Sequence, residues 1–208
     1  MNASPGESAL RRSRKDRLNR GEIGPVGMFF RGFLRHPVMV GSIIPSTAKL
    51  AEHMLQNVDW AKTRLFVEYG PGIGNFCPHV LRRLPADATY IAIDTNPDFI
   101  AYLRRRITDS RFVAVEGSAA DVRSIVSDHG FEHADYILSG MPLSTLPPGV
   151  GPRIAAETHA VLRSGGAFLV YQYNPKCRSL MAPHFERIDH EMEWVNIPPA
   201  QLYWAWKD

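Results

Sequence analysis

Between Gly70 and Gly74 every second residue is glycine, within the run Arg64-Leu65-Phe66-Val67-Glu68-Tyr69-Gly70-Pro71-Gly72-Ile73-Gly74-Asn75. An apolar, β-prone segment, Leu65 to Val67, leads into the glycines and a helix-compatible segment, residues 76–84, leaves them. This predicts a strand, a tight turn and a helix in immediate succession. Glycine admits a left-handed backbone and lets a ligand approach main chain that a Cβ would shield, while the N-terminus of the helix offers unpaired N–H groups. The turn suits a small molecule lying against backbone; an ordinary tight turn is the other reading of the same glycines.

The rest of the chain repeats the alternation. Further strands are expected at residues 88–93, 111–115, 135–138 and 167–171. Helices are expected at 47–56 with Ser46 as N-cap, at 97–107 with Asn96 as cap and Pro97 first, from Asp121 to about Ser127, and at 154–162. Short apolar strands alternating with helices argue for a doubly wound α/β fold with a mostly parallel sheet, whose ligands sit beyond the carboxyl ends of the strands. After Pro175 the pattern changes to a short helix at 176–183, a strand region at 184–195 and a final strand from Gln201 to Trp206, with Leu202, Trp204 and Trp206 on one face. The connection at Pro198-Pro199 is too short for a crossover helix, so these last strands are expected as an antiparallel pair, completing seven.

Charge divides the chain. Residues 1–35 hold eight basic against three acidic side chains, a net of +5, which leaves −2 for residues 36–208 out of the overall +3. Residues 7–20 read as a helix with a dense positive face (Arg11, Arg12, Arg14, Lys15, Arg17, Arg20), followed by Phe29, Phe30 and Phe33 beside Arg31 and Arg35. Basic residues adjoining aromatics suit an anionic membrane surface; packing of the phenylalanines on the domain as a lid is the alternative. The chain is therefore divided into a basic amphipathic extension, 1–35, and a main domain, 36–208.

No window reaches the ~18 to 20 apolar residues that span a bilayer. Cys77 and Cys177, a hundred positions apart, outline no disulfide framework and suit a reducing cytoplasm. The eight histidines form no metal-binding motif, so no metal is expected.

Spacing narrows the ligand. The dinucleotide fingerprint G-x-G-x-x-G would need glycine at position 75, which is Asn75; the third glycine comes one residue early, at Gly74. Glu68, just before the first glycine, would repel a pyrophosphate but attract an ammonium, and Asp94, twenty residues past Gly74, fits an acid that receives ribose hydroxyls. The pattern Glu68-x-Gly70-x-Gly72-x-Gly74 with Asp94 resembles the cofactor site of class I S-adenosylmethionine-dependent methyltransferases. That resemblance implies that the first acid and the glycines hold the methionine part and the second acid the ribose.

The loop after the fourth strand is where such a fold places its acceptor. It reads Ser139-Gly140-Met141-Pro142-Leu143-Ser144-Thr145-Leu146-Pro147-Pro148. Enzymes that methylate the exocyclic nitrogen of adenine begin this motif with Asn or Asp and place an aromatic after the proline to stack the flipped base. Ser139 and Leu143 provide neither, which disfavours a nucleobase and any nucleic-acid partner.

Together with Gly41-Ser42-Ile43-Ile44-Pro45-Ser46 and Asn196-Ile197-Pro198-Pro199-Ala200, these motifs resemble the bacterial phospholipid N-methyltransferases, from Phe29 onward. The resemblance implies stepwise methylation of phosphatidylethanolamine to phosphatidylcholine by a protein held peripherally at the cytoplasmic face of the inner membrane through residues 7–35. Ornithine-lipid methylating relatives are similar enough to leave the headgroup open. The cofactor set it implies is Ile44, Ser46, Glu68, Gly70, Gly72, Gly74, Asp94, Thr95, Ser118, Ala119 and Ser139, the adenine being held by main chain at Ser118-Ala119 where an acid is common. The acceptor side comprises Met141, Pro142, Leu143, Arg31, Lys176 and Arg178, with Ser139, Tyr171 and Tyr173 nearest the chemistry. Tyr171 and Tyr173 alternate along one strand, so only one faces the cleft unless the chain has left the sheet; a ring there would meet a growing methylammonium by cation–π attraction. Two other readings stand beside this one: RNA adenine dimethylation, with residues 7–35 on phosphates, and a membrane-associated cofactor-binding protein without turnover.

Overall fold

In the computed structural model the described residues are 44–143, 146–173, 177–194 and 199–208. The basic extension with Arg31, residues 144–145, Lys176 and residues 195–198 lie outside them.

The strands are β1 (Leu65–Tyr69), β2 (Thr89–Asp94), β3 (Phe112–Glu116), β4 (Ala134–Ser139), β5 (Leu162–Gln172), β6 (Arg187–Glu193) and β7 (Ala200–Trp206). The helices are α1 (Ile44–Met54), α2 (Cys77–Leu81), α3 (Pro97–Arg106), α4 (Val122–Asp128), α5 (Val150–Val161) and α6 (Arg178–Met181). All seven strands form one sheet in the order β3-β2-β1-β4-β5-β7-β6. The first five run parallel, and β7 lies between β5 and β6, antiparallel to both. The strand order reverses between β1 and β4, so the glycine turn opens at the switch point of the sheet.

Alternation along the strands builds two apolar layers. Phe66, Tyr90, Leu138, Leu169, Leu202 and Trp204 face one side, with α1 and α2; Leu65, Val67, Tyr69, Ile137, Phe168 and Tyr203 face the other, with α4, α5 and α6. Trp204 is fully buried and its indole N–H donates to the Met54 carbonyl at 2.9 Å, joining β7 to the end of α1.

Three boundaries depart from expectation. Helix α1 starts at Ile44, so Ser46 lies in its first turn and is not the N-cap; the first-turn N–H groups have no helical acceptor, and Pro45 is accommodated there. Helix α5 starts four residues early, at Val150, behind Gly149 in a left-handed conformation, and Pro152 is tolerated in the first turn for the same reason. Strand β5 starts at Leu162 rather than after the Gly165-Gly166 pair, because Gly165 N–H and Gly166 C=O bond to Lys207 and a register shift opposite Ala134 and Tyr136 absorbs the glycines.

Two polar contacts join elements across the sequence. Asp135, buried on β4, accepts the N–H groups of Arg64 at 2.7 Å and Leu65 at 2.8 Å and pairs with Arg163. Asp135→Ala strands these donors at the start of β1 and is expected to cost about 2 to 3 kcal/mol of stability, measurable by urea denaturation. On the other side, His53 of α1 bridges Glu193 (2.9 Å) and Glu191 (2.6 Å) of β6. Partial burial opposes the histidine's charge, but hydrogen bonds to the two carboxylates and their charges outweigh it, and the pKa is raised. Relative to His53→Gln, this contribution to stability is expected to be full below about pH 6.5, the ordinary histidine value, and to fade as pH rises through the raised folded value; thermal melts across pH test the sign.

Candidate functional site

Gly70, Gly72 and Gly74 all take positive φ, at +63°, +56° and +82°. A Cβ at Gly70 would press on Met141 Cγ at 2.6 Å and one at Gly74 on Leu103 Cδ2 at 2.8 Å, whereas one at Gly72 would meet nothing within 4 Å. The outer two glycines let the turn close against the β4 loop and α3. The middle one borders open space at the carboxyl edge of the sheet.

Asp94 ends β2 at the same edge. Its carboxylate accepts the Asn96 N–H at 2.8 Å, and the N–H groups of Gly72 and Thr95 also favour its charged form. Burial outweighs them and holds its pKa above the ordinary carboxylate value. Asp94 thus joins the glycine turn electrostatically to the β2–α3 turn, where Thr95 is exposed. One strand further out, Gly117 N–H bonds to Asp94 C=O at 3.0 Å, and Ser118 caps the short helix Ala119–Asp121 by accepting the Ala120 N–H at 3.1 Å. Ala119 is buried.

Glu68 is only 2% exposed, an unusual setting for a carboxylate. By strand alternation it points to the face that carries Phe66 and Tyr90, and the register sets small Ala92 opposite it. The Tyr90 hydroxyl fills the space so left and donates to Glu68 Oε2, while Cys77 Sγ lies 3.4 Å from that hydroxyl. Burial is the main cause that pushes Glu68 up to about 7, reinforced by the charge of Asp94 and opposed by the Tyr90 hydrogen bond. Burial raises the Cys77 thiol and the Tyr90 phenol as well, so both stay protonated at neutral pH.

Across the switch point, Ser139 is fully buried and its hydroxyl accepts the Met141 N–H at 3.3 Å. Its hydroxyl thereby helps to shape the loop. Gln172, buried at the end of β5, donates to the Met141 carbonyl and fixes the loop from below. Met141 is partly buried and Pro142 exposed, whereas Leu143 is buried among the α5-side core and anchors the loop there.

Of the two tyrosines, Tyr171 is the one that packs beside the loop after β4. Its ring stacks on Phe76 with centroids 5.1 Å apart, and its phenol occupies the space that a Cβ on Gly140 would take. Burial, then the charge of Glu68, raises its pKa, so it remains a neutral phenol. Tyr173 lies past the end of β5 and is 55% exposed. Arg178 is exposed at the start of α6. Ile44 and Ser46 belong to α1 by backbone alone.

The roles of Tyr90, Phe76, Cys77 and Gln172 had gone unread. For Tyr90 the signal was present: period-two counting puts it on the side of Glu68 once β1 and β2 are paired. Phe76 and Gln172 carry no such mark in sequence.

Residues 66–166 match the family model described as a methyltransferase domain. The chain is a class I, S-adenosylmethionine-dependent methyltransferase. It is 28% identical over 180 residues to an ornithine lipid N-methyltransferase of Singulisphaera acidiphila, which covers 86% of this chain and 94% of that enzyme. The fold is shared with an O-methyltransferase family protein of Burkholderia thailandensis (TM-score 0.61, 14% identity, 81% of this chain), of whose length the chain spans 58%. It is also shared with a 16S rRNA methyltransferase of T. thermophilus in complex with AdoMet and guanosine (TM-score 0.58, 18% identity, 79% of this chain and 43% of that one).

The residues present fit the cofactor of a class I methyltransferase. Open space beside Gly72 admits it against main chain, Glu68 provides a carboxylate for its amino-acid end, and Asp94 stands where its ribose hydroxyls would be held. The place of the Tyr171 phenol depends on Gly140 lacking a Cβ. Gly140→Ala must displace the Tyr171 phenol and is expected to lower turnover about 100-fold by misplacing the acceptor wall, with cofactor affinity by calorimetry changing far less.

Proposed function

We propose that this methyltransferase N-methylates the amine of a membrane-lipid headgroup, with phosphatidylethanolamine and its partly methylated forms as substrates. The observation that carries the proposal is the pairing of Gly140 with the Tyr171 phenol stacked on Phe76. Where adenine-methylating enzymes have a polar amide and a stacking ring, this chain has a buried serine, a glycine and a leucine turned into the core. In their place two aromatic rings stand beside the acceptor loop. Aromatic faces suit an amine that becomes a methylated cation, worth about 0.5 to 2 kcal/mol for each cation–π contact.

The cofactor supplies an activated methyl group when bound. The chain's own residues align the acceptor, exclude water and leave the amine uncharged. Tyr171 stays protonated, so it meets the nitrogen through its ring and is not the base. The proton of a lipid ammonium leaves to solvent, and rates are expected to rise with pH below the amine's pKa in the bound complex.

The named function of the Singulisphaera relative supports a lipid amine and favours ornithine lipid as the second reading. Tyr173 and Trp194, the latter 70% exposed, project at the carboxyl edges of β5 and β6 on the acceptor side. Such side chains suit the water–lipid interface. Among the described residues no helix is long and apolar enough to cross a membrane, so contact with lipid would be peripheral, aided by the basic extension.

The test incubates the full chain with methyl-labelled S-adenosylmethionine and, separately, phosphatidylethanolamine vesicles, ornithine-lipid vesicles and RNA. Label in phosphatidylethanolamine is expected, with activity falling about tenfold or more in Tyr171→Ala and largely kept in Tyr171→Phe, which retains the ring. Label in ornithine lipid alone would move the substrate to the second reading. Label in RNA, or in neither lipid despite cofactor binding, would overturn lipid methylation.

A further inference from the structure

We infer that Tyr90 is a positioning residue for the cofactor's amino-acid end, acting through Glu68: its hydroxyl orients the buried carboxylate and keeps it charged for an ammonium partner. The inference rests on S-adenosylmethionine as the ligand of the glycine turn and is independent of the acceptor.

Burial alone would neutralise a carboxylate at the position of Glu68. The Tyr90 hydroxyl is the hydrogen-bond donor that offsets this among the described residues. It is held there rigidly. The ring is fully buried, in edge contact with Phe66 (5.6 Å) on one side and Phe112 (5.1 Å) on the other, so the hydroxyl has little freedom to leave Glu68. The Cys77 thiol, kept protonated by burial, approaches the same oxygen at 3.4 Å. A chain of donors, thiol to phenol to carboxylate, then polarises toward Glu68. No aliphatic residue at position 90 would do this, although the surrounding core would accept one.

The groups that face Glu68 are few. Asp94, also on β2, adds negative charge; Cys77 on α2, Tyr90 on β2 and Tyr171 on β5 are all held neutral by burial. A cation brought by the ligand therefore meets Glu68 with Asp94 as the charge acting on it, and the charge state of Glu68 sets how strongly its end of the pocket attracts an ammonium. Tyr90 is a core aromatic of a parallel strand whose hydroxyl, through Glu68, makes it part of the cofactor site.

The experiment is calorimetric titration of the full chain with S-adenosylhomocysteine, the demethylated cofactor, from about pH 5.5 to 9. Wild-type affinity is expected to rise as Glu68 ionises and to fall as the ligand's own ammonium deprotonates. In Tyr90→Phe the rising limb is expected to move up by about one pH unit, which is about tenfold weaker binding below the limb, while the falling limb stays in place. Cys77→Ala is expected to move the rising limb in the same direction by less. A purely structural tyrosine would lower the whole curve without moving either limb, and that result, or an unmoved curve, would overturn the inference. Glu68→Gln separates the layers of the argument. Loss of its rising limb with no shift in Tyr90→Phe refutes the role of Tyr90 alone, whereas wild-type affinity and an intact limb in Glu68→Gln refute the pairing of Glu68 with the ligand's ammonium.

Discussion

The functional end of this protein depends on a backbone conformation that side chains with a Cβ rarely adopt. Gly70, Gly72 and Gly74 all lie in the left-handed region, and among the described residues no non-glycine residue does. Left-handed turns at Gly70 and Gly74 bring the chain against Met141 and Leu103, closing the passage from β1 to α2 so tightly that a Cβ on either would collide. Gly72 between them is left facing open space. The same turn places Phe76 and Cys77 at the beginning of α2, where one stacks on Tyr171 and the other reaches Tyr90. The open space beside Gly72 and the stacked Phe76–Tyr171 pair are therefore two consequences of one turn.

Electrostatics divides the two acids of the pocket. Asp94 is raised by burial but receives several backbone N–H groups, so its charge is supported by main chain. Among the described residues Glu68 receives no such backbone support. The hydrogen bond that opposes its burial there comes from Tyr90, and its pKa is pushed up to about 7, where a modest change of partner changes its charge. On the proposed assignment Asp94 receives ribose hydroxyls as an acceptor in a fixed place, whereas Glu68 must be charged when the ligand's ammonium arrives, and their surroundings are consistent with those two tasks.

The parallel order of the first strands, the antiparallel end of the sheet, the glycine turn and both acids were readable from local pattern, because period-two alternation, glycine spacing and short connections act within a few residues of one another. Helix and strand starts were less readable. Ser46 had the chemistry of a cap, yet α1 begins before it; Val150 opens α5 behind a glycine whose conformation only the fold reveals. That Leu143 and Ser139 are buried where they hold the loop was not readable, since burial depends on what packs against a side chain from distant elements.

By itself the sequence determined the class of the sheet and the kind of donor. Those depend on periodicity and on the identity of residues 68 to 74 and 94, which no packing partner alters. Tertiary structure alone decided that Tyr171 packs against Gly140, that Phe76 backs it, and that Tyr90 and Cys77 stand behind Glu68. These contacts join residues of different strands and helices, and strand register, which sets them, is a property of paired chains and not of any one segment.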